Sequence, residues 1–203
     1  MKQVTGNNSS PSQFRVSIQQ SLDGHSFSRP ELSQCAPSEE IVEVELVVPH
    51  TVLVPETLYR DGLKEELLAA NGTPAAESEC VVACDPKNGC VAVAAVDASL
   101  LQQLTERFPK RHYTSPLEFV PQNRQKCVWM GKRGELLYTK VYDNGLLRLA
   151  EVIPAASEAE VRYFIESLTK QFPPAEYELR LTGDDTKQLR KWIGNEFEKT
   201  VCE

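Results

Sequence analysis

Two-residue turn signals inside runs of alternating apolar and polar residues constrain this chain more than any other feature. The clearest is Asn144-Gly145, because Asn and Gly tolerate the positive φ angles that a two-residue hairpin turn requires. Before this turn Leu137, Thr139 and Val141 occupy every second position, which is the period of a β-strand. An antiparallel hairpin is therefore predicted, and the rest of the chain has to supply the layers that cover it.

The carboxyl-terminal part predicts a three-stranded meander followed by a helix, a strand and a second helix. Ser157 and Glu160 have the spacing of a capping box, and so do Asp185 and Gln188, which marks the start of each helix. The predicted strands are 127–130, 137–141, 146–153 and 176–181.

The amino-terminal part has a similar order of elements, with about one extra strand. Asp23-Gly24 predicts a hairpin turn, Pro55 opens a helix, and Asp97 caps another. The predicted strands are 14–18, 25–28, 42–48, 51–54, 79–84 and 91–96. The order of elements is repeated in the two parts, although no residue-level repeat accompanies it.

These patterns predict an α/β protein of two halves. The first residues are polar and rich in Asn, Ser and Gln, which is typical of a disordered tail over 1–12. The first half is predicted over 13–110 and the second over 125–203. Three prolines mark 111–124 as the connection, with one helical turn.

Charge and composition narrow the class of partner. The chain of 203 residues has a formal net charge of −7 and a sequence pI of about 5.2. Binding to a nucleic-acid backbone depends largely on Lys and Arg, so a nucleic-acid partner is disfavoured. Neither a signal peptide nor a membrane-spanning segment is recognisable, which predicts a cytoplasmic protein.

The six cysteines are interpreted as reduced thiols. Cys80 and Cys84 are four residues apart on one predicted strand, about 13 Å, which is too far for a disulfide. With Cys90 they make a poor zinc pattern, because no His lies nearby and no two-residue spacing is present. Small buried side chains are the favoured interpretation.

Three segments carry a resemblance to a known family. They are Val16-Ser17-Ile18 with 21–28, Val52-Leu53-Val54-Pro55-Glu56, and Leu179-Arg180-Leu181-Thr182-Gly183-Asp184. Together they resemble a bacterial family, a domain of unknown function, whose fold is that of the actin-like ATPases and of ribonuclease H. The resemblance spans most of the chain from Phe14 onward. It implies two ribonuclease-H-like halves, each a β-meander followed by α-β-α, and no established activity.

The same resemblance points to a cleft between the halves as the place for a nucleotide. Actin-like ATPases hold phosphate in one hairpin turn per half, where an acidic residue and bare backbone N–H groups meet. The corresponding candidates are Asp23 and Gly24 in the first turn, Lys132 and Arg133 in the second, and Gly183 near the base. The turn 131–134 has no acidic residue, and Gly183 is followed by Asp184 instead of a second glycine. Hydrolysis is therefore in doubt, although ATP with magnesium remains an alternative cofactor.

Other chemistry is weakly supported by the sequence. A ribonuclease-H nuclease needs a carboxylate on its first strand, and 14–20 contains none. No histidine has the spacing of a triad, and neither a catalytic residue nor a metal ligand is predicted. Basic and aromatic residues cluster at 110–113 and 187–192, which could contact RNA.

Three functions follow as hypotheses. The leading one is a non-catalytic actin-like scaffold or adaptor that binds a protein partner. The first alternative is a nucleotide-binding protein or slow ATPase that uses the cleft between the halves. The second alternative is an RNA-associated protein.

Overall fold

The computed structural model describes residues 14–22, 25–38 and 40–203. The predicted tail 1–12 and the predicted turn residues Asp23 and Gly24 lie outside the described residues.

Most strands and helices follow the alternating and amphipathic segments, but Pro55 ends a strand, and the helix predicted to open there begins only at Lys64. The strands are β1 (Arg15–Gln20), β2 (Ser26–Arg29), β3 (Val42–Val47), β4 (Thr51–Pro55), β5 (Glu79–Ala83), β6 (Cys90–Asp97), β7 (Arg111–Thr114), β8 (Lys126–Arg133), β9 (Leu136–Asp143), β10 (Leu146–Pro154), β11 (Glu178–Gly183) and β12 (Lys199–Cys202). The helices are α1 (Lys64–Ala70), α2 (Ala98–Arg107), α3 (Glu158–Gln171) and α4 (Thr186–Ile193). Single 3-10 turns form at Leu32–Gln34, Asp61–Leu63 and Pro116–Glu118.

A five-stranded sheet in the order β10-β9-β8-β11-β12 forms the second half. β8, β9 and β10 are antiparallel neighbours, as the meander predicts, and β11 and β12 continue the sheet in parallel. Asn144 and Gly145 have φ angles of 50° and 79°, so the hairpin prediction is confirmed. β12 was not predicted, because its four residues are too few to show an alternating pattern.

Side-chain caps start the helices that cover this sheet. The Ser157 hydroxyl accepts a hydrogen bond from the Glu160 N–H at 3.3 Å, and the Glu160 carboxylate accepts one from the Ser157 N–H at 2.9 Å. The predicted capping box is thus confirmed. Asp185 accepts from the Gln188 N–H and starts α4. Both helices bury apolar residues against one face of the sheet.

The first half has a four-stranded sheet in the order β2-β1-β3-β7. β1 and β2 form the predicted antiparallel hairpin, but β3 pairs with β1 in parallel and does not complete a meander. Residues 30–41 are long enough to return the chain to the starting end of the sheet. Apolar and polar residues alternate in the same way in strands with parallel and with antiparallel neighbours. The sequence pattern therefore did not distinguish parallel from antiparallel pairing of β3.

A separate antiparallel sheet in the order β4-β6-β5 is inserted between β3 and α2. Helix α1 covers it, and Leu68 is fully buried among its valines. The segment 111–124, predicted as a connection with one helical turn, contains β7 as well as the 3-10 turn Pro116–Glu118.

The two halves meet across the second face of the five-stranded sheet. Trp129, Tyr138 and Tyr142 on this face pack in one cluster with Val47 of the first half and Leu117 of the connecting segment. The Tyr138 hydroxyl donates a buried hydrogen bond of 3.1 Å to the carbonyl of Val48. The sheet is therefore covered on both faces, by helices on one side and by the first half on the other.

Replacing Tyr138 by Phe tests this contact between the halves. Tyr138→Phe removes one of two donors to the Val48 carbonyl, which also accepts from the Thr51 hydroxyl at 3.0 Å, so we expect the free energy of unfolding to fall by about 1 kcal/mol in urea titrations. The control is Tyr163→Phe, which removes the hydroxyl of a tyrosine that is 78% exposed on α3. Equal stability of the two variants would contradict the contact.

Candidate functional site

The second predicted phosphate turn lies where β8 ends beside β11. Lys132 and Gly183 are register partners on these parallel strands, and Arg133 follows directly. Three of the five predicted cleft residues are thus brought together. Asp23 and Gly24 are outside the described residues, although the neighbouring Leu22 is described.

Polar groups of this turn are bonded to one another. The Asp184 N–H donates to the carbonyl of Lys132 at 2.9 Å, and the Gly134 N–H donates to the Asp184 carboxylate at 2.9 Å. Arg133 donates to the carbonyl of Lys132 at 3.0 Å, while the Lys132 ammonium donates to the carbonyl of Gly134. The N–H of Gly134, which a phosphate would need, is therefore already occupied by a carboxylate.

Glycines of this region have packing roles. A Cβ at Gly131 would approach the Trp129 ring to 2.5 Å, so the missing side chain makes room for the indole. Gly183 has a φ angle of 92°, and a Cβ there would overlap with the Arg133 guanidinium and with the carbonyl oxygen of Lys132. Close backbone approach accounts for both glycines without a ligand.

Residues next to the first predicted turn lie against the second turn. The N–H of Leu22, next to the first predicted phosphate turn, is 3.4 Å from the Glu135 carboxylate. A Cβ at Gly134 would be 4.0 Å from the Gln19 side-chain oxygen. Glu135 and Asp184 are acidic residues at this junction. The sequence analysis noted Asp184 only as the residue that replaces a second glycine, and it did not consider Glu135, which lies just outside the turn 131–134.

The basic clusters considered for RNA are also engaged. In the first, His112 pairs with Asp85, and the Arg111 side chain donates to the Tyr113 hydroxyl at 2.6 Å. In the second, Trp192 of α4 is half-buried and packs against the core. Neither aromatic side chain stands free as a stacking platform.

A second candidate site, which the sequence missed, is a cavity of about 180 Å³ between the inserted sheet and the second half. Lys140 of β9 and Glu118 of the turn Pro116–Glu118 are its buried charged residues. The lining is Leu53, Lys87, Asn88, Cys90, Leu117, Glu118, Val120, Arg124, Lys140, Tyr142, Gly145, Leu146 and Leu147.

Lys140 is only 1% exposed. Its ammonium donates to the carbonyl of Leu117 at 2.7 Å and to the carbonyl of Phe119. The Trp129 and Tyr142 rings lie near it, with centroids 5.1 and 5.8 Å from Nζ. Burial disfavours the charged form and lowers the pKa of Lys140 to about 7.

Burial shifts the other titratable groups around this lysine as well. It raises the pKa of the Glu118 carboxyl, whose Oε1 has no hydrogen-bond partner. It also raises the pKa of Cys90 on β6, of Cys127 on β8, and of Tyr142 on β9. The thiols are thus weak nucleophiles.

Metal and membrane features are absent from the described part of the chain. No group of three or more His, Cys, Asp or Glu residues could hold a metal among residues 14–22, 25–38 and 40–203. The six cysteines are free. Cys35, Cys84 and Cys127 are buried as predicted, whereas Cys80 and Cys202 are exposed. No helix in the part that the structure describes is long and apolar enough to cross a membrane.

Solved structures identify the fold. The chain is similar to a protein with actin-like ATPase fold and unknown function from Bacteroides thetaiotaomicron VPI-5482. The TM-score is 0.73 at 18% identity, with 94% of this chain and 91% of that chain covered. The chain therefore has the actin-like ATPase fold, and the fold class predicted from the sequence is confirmed. No family model and no curated protein matches the sequence.

More distant similarities reach proteins of secretion and pilus systems. One is the cytoplasmic domain of EpsL, an inner membrane component of the type II secretion system of Vibrio cholerae, with a TM-score of 0.44, 10% identity, and coverage of 93% of this chain and 85% of that chain. Another is the PilM-PilN type IV pilus biogenesis complex, with a TM-score of 0.44, 14% identity, and coverage of 85% and 72%. The fold assignment depends on the Bacteroides protein alone.

Alanine at Gly183 tests the packing of the second turn. We expect Gly183→Ala to lower the free energy of unfolding by about 2 kcal/mol more than Gly145→Ala, because steric overlap adds to the cost of a positive φ angle. Gly145 is the matched control, since its φ angle is 79° and nothing lies within 4 Å of a Cβ there. Equal losses in urea titrations would contradict the close packing at Gly183.

The depressed pKa of Lys140 predicts a pH-dependent stability difference. Between pH 7 and about pH 10 the unfolded chain holds a proton at Lys140 that the folded chain has lost, so raising the pH favours folding through this group. Relative to Lys140→Met, the free energy of unfolding of the wild type should rise by about 3 kcal/mol between pH 7.0 and 9.5. Lys187→Met is the control, since it replaces an exposed lysine. A pH-independent difference between wild type and Lys140→Met would contradict the shift.

Proposed function

We propose that this chain is a non-catalytic actin-like scaffold that binds a protein partner. The observation that carries the proposal is the hydrogen bonding around the second predicted phosphate turn. Leu22, beside the first predicted turn, approaches Glu135 of the second half, and Lys132 and Arg133 donate to carbonyl groups of their own segment. Groups of the second turn that could bind phosphate in an ATPase are used here for contacts within the chain.

The nucleotide-binding alternative requires these contacts to break. A phosphate at the second turn would have to displace the Asp184 carboxylate from the Gly134 N–H. It would also bring its negative charge close to Asp184 and Glu135. The repulsion between these like charges opposes binding unless a metal ion accompanies the phosphate.

A surface for the partner is offered by β10, which is an edge strand of the five-stranded sheet. Edge strands present unpaired backbone N–H and C=O groups to which another chain can add a strand. Leu146 and Leu147 at its start are 58% and 36% exposed. A register irregularity between Leu147 and Leu149 interrupts the pairing with β9, so Arg148 lies at a bulge. We infer that the partner contacts this first part of β10.

Site-specific photocrosslinking tests the proposal. A benzophenone side chain at Leu147 should give one reproducible protein adduct of discrete mass in an extract of the native cells, because the partner would cover this residue. The matched control has the same group at Tyr163 on α3, which is more exposed and lies on another layer. We expect Leu147→Glu to abolish co-purification of the adduct's protein, whereas Tyr163→Glu should retain it.

Two results would contradict the proposal. One is identical labelling from positions 147 and 163, which would indicate random collision. The other is saturable magnesium-ATP binding in calorimetry that Asp23→Ala removes, since this would establish the nucleotide alternative. The cytoplasmic location stays a prediction, which fractionation of the same cells would check.

A further inference from the structure

The cavity beside Lys140 has an unbalanced charge. Besides Lys140 it is lined by two cations, Lys87 and Arg124, and neither forms an ion pair with any described residue. The carboxylate among its lining residues belongs to Glu118. In a chain of net charge −7, Lys87 and Arg124 beside one small space form a local positive field, which Lys140 strengthens when it is protonated.

Apolar side chains form the rest of the wall. Leu53, Leu117 and Val120 line the cavity from the first half and the following segment, while Leu146 and Leu147 line it from the start of β10. A volume of about 180 Å³ is enough for a short aliphatic chain and too small for a nucleotide. The lining therefore combines an apolar pocket with a few positive groups.

Lys140 is incompletely satisfied in its charged form. An ammonium has three N–H donors, and two of them donate to the carbonyls of Leu117 and Phe119. Both acceptors are neutral, so no counter-ion compensates for the burial of the charge. Oε1 of Glu118, a residue that is 5% exposed, likewise has no hydrogen-bond partner.

We propose that this cavity binds a small carboxylate with a short apolar chain, whose charged end meets Lys140 and Arg124. Lys87 strengthens the positive field at the same cavity, and the leucines cover the aliphatic part of the ligand. Glu118 is the acidic residue of this lining, and burial raises the pKa of its carboxyl, whereas the Ser115 backbone and Lys87 lower it. The site is at the end of β9 opposite to the hairpin contact. It goes beyond the proposed scaffold role because ligand binding needs no partner protein, although Leu146 and Leu147 belong both to this lining and to the surface proposed for the partner.

Binding of a carboxylate in this cavity should be accompanied by uptake of a proton. Near pH 8 the Lys140 amine is largely neutral, and a bound carboxylate favours its charged form. The groups facing the amine are Cys90, Glu118, Cys127 and Tyr142, and burial favours the neutral form of each. Binding should therefore take up a proton at Lys140 without a compensating release from its neighbours.

Calorimetric titration of the full chain with hexanoate at pH 8, in two buffers of different ionisation enthalpy, is the test. We expect saturable 1:1 binding with net uptake of a substantial fraction of one proton. Arg124→Gln should weaken binding by about tenfold or more, as loss of a charge-assisted hydrogen bond does. The matched control is Arg162→Gln, an exposed arginine on α3 far from the cavity, which should bind as the wild type does.

Three further comparisons test whether the cavity is specific for a small carboxylate. Hexanol has the same apolar chain without the charge and should not bind, so equal binding of hexanol and hexanoate would overturn the carboxylate assignment. Binding of hexanoate without proton uptake would overturn the role of Lys140. An acetylated peptide ending in Leu carries the same carboxylate on a larger chain. Binding of this peptide without binding of hexanoate would overturn the small-molecule assignment, while leaving the partner proposal untouched.

Discussion

Burial of the second face of the five-stranded sheet is the constraint on which the rest of the structure depends. A sheet covered by helices on one side only would leave Trp129, Tyr138 and Tyr142 in water. The first half covers them, and the hydrogen bond from Tyr138 to Val48 fixes how the halves meet. Because packed interiors tolerate little rearrangement, this contact also determines the relative position of the strand ends that carry the predicted phosphate turns.

Burial of this face also removes the side chain of Lys140 from water. It lies on the same face as Tyr138 and Tyr142, in the middle of the contact between the halves. A charged lysine there loses its water and gains two carbonyl acceptors. These acceptors are the backbone carbonyls of Leu117 and Phe119. The hydrogen bonds of Lys140 therefore also fix the position of the segment that follows the first half. A cavity with unusual charge results directly from the way the two halves are joined.

Local signals in the sequence predicted local structure well. Asn144-Gly145 and the Ser157–Glu160 pair each specify geometry over a few residues, and each is confirmed. Pairing between distant strands was less predictable. β3 turned out to be parallel to β1, and β7 and β12 are edge strands of four residues that have no pattern of their own.

The candidate cavity was missed for a related reason. Alternation on β9 was assigned to Leu137, Thr139 and Val141, which places Lys140 on the face expected to meet water. Both faces are in fact buried, and the period of two is the same for a strand covered on one side or on both. The one sequence feature that pointed to this cavity is that Lys140 lies between Tyr138 and Tyr142 on the same face of β9. Two aromatic residues on a face expected to meet water indicate that another layer covers that face.

The distance between the two candidate sites makes them separable. β9 has eight residues, so its two ends are about 24 Å apart, with the hairpin contact at one end and the cavity at the other. The contact between the halves lies between them, and Lys140 belongs both to that contact and to the cavity. A ligand that holds Lys140 in its charged form would also hold Leu117 and Phe119 against the second sheet. The cavity is therefore placed to influence how firmly the halves are joined, without any ligand at the turns where an ATPase binds phosphate.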